Sequence, residues 1–333
     1  MLANLLILSL ILVLVGILLV VITVWWMALF LLRPARMTDG RAVLLLKRLS
    51  PGDLGLRFES MRFIVRDERD GKRLSLAAWW IPHEQANGKS VVLVHGYGDA
   101  KVGAIAWAPL WHALGYNILA VDLRAHGESA GKYSTAGFFE RHDLDQILNQ
   151  IRADRPRDTA RVMLFGISLG AAVVLAAAEG RDDIDALVLE CPYADYRVPV
   201  LAYSRIFAMP LPSLAPLSIR LAEWISGADF STLRPIDMLK RVKQPTMIIQ
   251  AGCDPFVPPS DADAMEAILR ERAAREDFIC AHWRVGDVSH VIGIVADPDE
   301  YRDRIVAFLR RAELAHPKSE SRTPKQIQSS NVE

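Results

Sequence analysis

Cysteine is scarce. The 333 residues hold three, Cys191, Cys253 and Cys280, scattered along the chain and outside any Cys-x-x-Cys or Cys/His cluster. That spacing excludes a disulfide framework and offers no zinc-binding pattern. Each cysteine reads as a small buried apolar residue, in keeping with a reducing compartment. An excess of charge of either sign is also missing, because 39 basic and 39 acidic side chains cancel. A nucleic-acid-binding domain carries a basic excess, so no nucleic-acid partner is expected. There is no internal repeat, and no motif calls for a metal or a cofactor, so neither is expected.

Charge is absent altogether from Leu2 to Leu32, LANLLILSLILVLVGILLVVITVWWMALFLL. About twenty apolar residues cross a bilayer, so this run suffices with room for tilt. A secretory signal would show a basic n-region, a shorter apolar core and a small-x-small cleavage site, and none is found. Residues 1–33 are therefore expected to form a transmembrane anchor, with Trp25, Trp26 and Phe30 at the interface. Arg33, Arg36, Arg41, Lys47 and Arg48 follow the span, which by the positive-inside rule makes the protein single-pass with its main domain facing the cytoplasm. Residues 34–52 read as a juxtamembrane linker, with Arg41 to Ser50 either a basic amphipathic helix on the lipid surface or a solvated linker helix.

The rest reads as one domain over 53–314, large enough for a sizeable core. Two β-like runs flank Asp70-Gly71 and predict an antiparallel hairpin. Short continuous apolar runs then alternate with helical segments: Val91–Val94, Ile118–Val121, Val162–Phe165, Ala186–Leu189, Met247–Gln250 and a last strand near Phe278 to Val285. Such alternation predicts an α/β fold, with a mostly parallel central sheet and helices on both faces. Trp79, Trp80, Trp107 and Trp111 read as core or sheet-edge aromatics. An insertion at about 192–243 breaks the alternation with apolar residues (Ile206, Phe207, Met209, Leu211, Leu214, Leu217) interrupted by Pro210, Pro212 and Pro216. It reads as a small lid over the carboxyl edge of the sheet. The polar tail, 315–333, reads as disordered.

Gly166-Ile167-Ser168-Leu169-Gly170 stands where the strand ending at Phe165 gives way to a helix of small residues. Gly-x-Ser-x-Gly at a strand-to-helix junction is a nucleophile elbow, a tight turn that holds the serine hydroxyl clear of its own backbone. Serine attacks only when a base removes its proton, and the base needs an orienting acid. In chain order the candidates are Ser168, Asp254 and His290, the last two just beyond the two final strands. Glu190, directly after the strand at Ala186, is a rival acid. His282, within a strand, and His316, in the tail, are weaker candidates for the base than His290. Asp287, close to His290 in sequence, reads as a turn residue, and Asp99, Asp122 and Glu128 as loop hydrogen-bond partners.

With His95-Gly96-Tyr97-Gly98, Asp122-Leu123-Arg124-Ala125-His126-Gly127-Glu128-Ser129, the elbow, Gly252-Cys253-Asp254 and Ser289-His290 in place, the chain resembles α/β-hydrolase-fold serine hydrolases. The closest pattern is that of the carboxylesterase, lysophospholipase and monoacylglycerol-lipase-like branch, over about Leu56 to Leu314. The resemblance implies an oxyanion hole from the backbone N–H groups of Tyr97 and Leu169, a structural role for His126 and a loop-shaping role for His95. It implies a membrane-anchored hydrolase cleaving carboxylic or thiol esters, small-molecule or lipid-derived, through an acyl-enzyme. A serine aminopeptidase-like peptidase and a non-catalytic hydrolase-fold scaffold are the alternatives.

Overall fold

The apolar runs form one eight-stranded sheet in a computed structural model that describes residues 1–85, 87–206, 212–275 and 278–315. The strands are β1 (Glu59–Arg66), β2 (Arg73–Ile81), β3 (Lys89–Val94), β4 (Asn117–Val121), β5 (Arg161–Ile167), β6 (Ala186–Glu190), β7 (Thr246–Ala251) and β8 (Cys280–Val285). Their spatial order is β1-β2-β4-β3-β5-β6-β7-β8. β2 runs antiparallel to both its neighbours, and every pairing from β4 to β8 is parallel. The hairpin turns where expected: the Asp67 and Lys72 backbones bond at 2.7 Å, and Gly71 takes a φ of +73°, which costs glycine nothing.

Successive side chains of a strand face opposite ways. Val92, Val94, Leu164 and Leu187 accordingly enter one core, and Val91, Leu93, Phe165 and Val188 the other. All four predicted core tryptophans are buried. Trp80 lies in the first core; Trp79, Trp107 and Trp111 lie in the second.

The principal helices are α1 (Leu2–Leu32), α2 (Asp39–Leu46), α3 (Glu140–Asp154), α4 (Leu169–Ala178), α5 (Arg197–Ile206), α6 (Ala215–Ser226), α7 (Pro235–Arg241), α8 (Pro259–Ala273) and α9 (Pro298–Ala315). All ten residues of α4 are buried. Packed between β5, α3 and α7, it has no solvated face, which is why its sequence lacks the polar stripe of an ordinary surface helix. The insertion folds as α5, α6, α7 and short 3-10 turns. Its residues Phe207, Met209, Pro210 and Leu211 lie outside the described residues, as do His316 and the tail from residue 316 onward.

α1 is the single helix among the described residues long and apolar enough to cross a membrane. Its end does not stop at the domain surface. Met27, Ala28, Leu31 and Leu32 are buried in the first core, and the helix packs along α6. Beyond it, the Arg36 guanidinium donates to the carbonyls of Gly127 at 2.8 Å and Ser129 at 2.7 Å. The expected division of anchor from linker at residue 33 therefore falls inside packed structure: residues 27–36 are bound into the domain. Within the expected linker, residues 39–46 form α2, with Leu44 and Leu45 exposed.

Candidate active site

The sheet delivers His95, Asp122, Ser168, Glu190, Asp254 and His290 to one edge, because each follows or ends a strand of the same direction. At the elbow Ser168 has φ +52°, ψ −112°, a region that side-chain-bearing residues avoid. A Cβ at Gly166 would lie 2.5 Å from the Gly170 carbonyl oxygen, and one at Gly170 would lie 2.1 Å from the Val94 oxygen. Both flanking glycines are therefore obligatory. Gly170→Ala should destabilise the domain by about 3 kcal/mol, the upper end of overpacking costs, because backbone must move. Gly286→Ala, where a Cβ meets nothing within 4 Å, serves as the neutral control. Comparable melting temperatures for the two variants would contradict this reading of the elbow.

His290 Nδ1 lies 2.7 Å from Asp254 Oδ2, and His290 Nε2 lies 3.0 Å from Ser168 Oγ. Asp254 Oδ1 accepts the N–H groups of Phe256 at 2.8 Å and Val257 at 3.1 Å. One carboxylate oxygen is thus fixed by its own loop while the other faces the imidazole. An ionised carboxylate there requires the proton on Nδ1, which leaves Nε2 as acceptor for the serine hydroxyl. Ser168, Cys191 and Val291 all hold positive φ values, at +52°, +48° and +63°. Three such residues around one site mark stored backbone strain of the kind functional sites retain.

Glu190 has a different environment. It is fully buried, accepts the Tyr301 hydroxyl at 2.6 Å, and Trp107 Nε1–H donates to that hydroxyl in turn at 2.9 Å. Burial first, and the neighbouring Asp254 next, push its carboxyl up to about 8. Glu190 is therefore protonated at neutral pH and makes no hydrogen bond to His290. An unfolded glutamate titrates near 4.5. Between that value and about 8 the native state holds a proton that the unfolded chain releases, so this group's contribution to stability falls as pH rises across that window. Glu190→Gln should remove that slope, flattening the decline in urea midpoint from pH 6 to pH 8 relative to wild type. Parallel declines would contradict the assignment.

The loop after β3 closes the other side of the site. A Cβ at Gly96 would stand 3.5 Å from the Ser168 Cβ, so the loop lies directly on the elbow. The Leu123 N–H donates to His95 Nε2 at 3.0 Å, which puts the proton on Nδ1, 2.7 Å from the Gly96 carbonyl. That carbonyl and the Tyr97 N–H belong to one rigid peptide plane, so His95 fixes where the Tyr97 N–H points. Burial, with His126 alongside, holds the His95 ring well below the usual range and neutral. The Leu169 N–H opens α4, where the helix dipole favours negative charge. Among the described residues neither amide meets an acceptor. His126 lies against the His95 ring at 4.9 Å, and its Nδ1 is 2.9 Å from the Arg124 carbonyl, a supporting position.

Asp122 and Glu128 both bond the Lys101 ammonium, at 2.7 and 2.6 Å, as loop partners. Asp99 is half-buried, and its desolvation pushes its carboxyl up to about 6. Asp287 lies beside Cys253, and His282 faces Glu266 on α8. Cys191, Asp254 and His290 place metal-capable atoms within 4.8 Å of one another, the one such group among the described residues. Burial drives the Cys191 thiol well up, and a protonated thiol is a poor ligand, so this donor set suits proton transfer rather than metal binding.

Beside Ser168 lies a small apolar cavity of about 40 Å³. Tyr97 and Leu169 form one side; Tyr193, Tyr196, Pro199, Val200 and Tyr203 of the insertion roof it; Phe30 and Leu31 of α1 complete the wall. Described residues of the insertion thus stand beside the carboxyl edge at Ser168. The Tyr203 ring lies 4.7 Å from Phe256, which meets His290 edge-on at 4.9 Å. Residues 193, 196, 200 and 203 recur at helical spacing, a signal that could have revealed the lining. Phe30 and Leu31 carried none, since they resemble the exposed apolar residues before them.

A family model described as serine aminopeptidase, S33, matches residues 85–234. The protein YqkD of Bacillus subtilis is 24% identical over 68% of this chain and 72% of its own length. A protein of Macaca fascicularis called lysophosphatidylserine lipase ABHD12 is 26% identical over 60% of this chain and 50% of its own. The esterase Pf2001 of Pyrococcus furiosus superposes with a TM-score of 0.67 at 23% identity, over 84% of this chain and 98% of that one, a likeness of fold. With strand order and these likenesses in agreement, the chain has the α/β-hydrolase fold, and over residues 85–234 it is similar to the serine aminopeptidase, S33, family.

Proposed function

We propose that this hydrolase is a membrane-tethered esterase that cleaves carboxylic or thiol esters with apolar acyl groups, lipid-derived ones included, using Ser168 as nucleophile, His290 as base and Asp254 as orienting acid. The observation that carries the reading is the unbroken hydrogen-bond chain from Asp254 through His290 to Ser168, at 2.7 and 3.0 Å, opening into an apolar cavity.

In the first step His290 Nε2 takes the Ser168 proton as Oγ attacks the acyl carbonyl, and Asp254 stabilises the resulting imidazolium. The N–H groups of Tyr97 and Leu169 receive the negative oxygen; losing one such donor typically costs about 3–4 kcal/mol of transition-state stabilisation. His290 then returns the proton to the leaving alcohol or thiol. Water, deprotonated by the same ring, releases the acyl group from Ser168.

A peptidase acting on free N-termini, as the family model's description would have it, needs an anion near the substrate ammonium. Among the described residues lining the cavity none is acidic, which favours the ester reading. The exposed part of α1, Leu2 to Trp26, extends about 37 Å at 1.5 Å per residue, against about 30 Å of hydrocarbon. That length supports a single span, and the basic residues from Arg33 to Arg48 support a cytoplasmic domain. A p-nitrophenyl ester series set beside aminoacyl p-nitroanilides tests the chemistry. Turnover of the esters alone is expected; turnover of the anilides alone would favour the peptidase, and of neither the scaffold.

A further inference from the structure

A membrane tether needs only a flexible join to its enzyme, yet the end of α1 is built into the catalytic cavity. The last carbonyls of a helix have no partners within it. Here the domain supplies them: the Tyr97 hydroxyl donates to the Phe30 oxygen, and the Ser134 N–H donates to the Leu32 oxygen at 2.8 Å. Burial keeps the Tyr97 phenol protonated and able to donate, and the N–H of the same residue is the proposed oxyanion donor. Met27, Ala28, Leu31 and Leu32 are buried in the domain core, while Phe30 and Leu31 face the cavity that holds Ser168.

We propose that the final turn of α1 is a working wall of the active site, with Phe30 and Leu31 setting the length of acyl chain that the enzyme accepts. The inference rests on the esterase reading and adds to it the specificity element. An ester whose carbonyl oxygen lies at the Tyr97 and Leu169 amides has its acyl group beside this small apolar cavity, which Ser168, Tyr97, Leu169, Phe30 and Leu31 line together. One side of that space is α1, so the side chains there decide how far the chain extends. Adding or removing a few methylenes of room shifts discrimination by about 10- to 200-fold in hydrophobic pockets.

The test uses the full chain in detergent micelles with p-nitrophenyl esters from acetate to palmitate. Leu31→Trp should lower kcat/KM for the long esters at least tenfold relative to acetate, and Leu31→Ala should move the optimum to longer chains. Should Leu31→Trp fail to label with a fluorophosphonate probe, Leu31→Ala and Phe30→Ala decide the matter by the same ratio. Active variants that keep the wild-type chain-length profile would overturn the inference and leave the esterase reading standing. Ester turnover that survives Ser168→Ala would instead sink the esterase reading itself.

Discussion

Replacing Ser168 with alanine should abolish ester turnover, lowering kcat by roughly 10⁴- to 10⁶-fold with the fold intact. The hydroxyl is the only atom lost. Its hydrogen-bond partner among the described residues is His290 Nε2, so no buried group is left stranded. Alanine takes the elbow's φ of +52° at no greater strain than serine. The melting temperature should accordingly move by little, and the rate loss cannot be ascribed to unfolding. Any residual rate would come from the Tyr97 and Leu169 amides and from binding, which in serine hydrolases support a modest background reaction. Turnover within tenfold of wild type, on purified protein and a butyrate ester, would mean that another group attacks the substrate.

The second large effect concerns the acid. Asp254→Asn should reduce kcat by about 10⁴-fold with KM little changed. The amide oxygen can keep the Phe256 and Val257 N–H bonds, so the loop should hold its shape. The NH₂ group then faces Nδ1, which must accept rather than donate. The ring proton is forced onto Nε2, and the base no longer accepts the serine proton. Glu190→Gln is the matched comparison. Glu190 is already neutral and bonded to Tyr301 rather than to the imidazole, so its amide should retain activity within about tenfold. Equal losses in the two variants would show that the carboxylates act together.

Much of this was legible in the sequence because buried parallel strands are continuous apolar runs, and chemistry collects where such runs end. Ser168, Asp254 and His290 could be named for that reason, and the coordinates bring the three side chains together. The choice between Asp254 and Glu190 was not legible. Both follow central strands, and only the contacts distinguish a carboxylate held by two N–H groups and an imidazole from one sealed against Tyr301. The docking of α1 was hidden for a different reason. Its buried stripe, Met27, Ala28, Leu31 and Leu32, is as apolar as the exposed residues before it, so no polarity contrast marks where the packed part begins. The insertion was recognisable as an interruption by prolines, but its tyrosines gained meaning only once they stood beside Ser168.

Covalent mapping tests the central claim most directly. The full-length protein is treated with a fluorophosphonate, digested, and the adduct located by mass spectrometry, with Ser168→Ala and His290→Ala handled in parallel. Stoichiometric modification of Ser168 in the wild type, little or none in His290→Ala and none in Ser168→Ala, is the predicted result. A folded wild type that stays unmodified, or an adduct carried by a different residue, would contradict it.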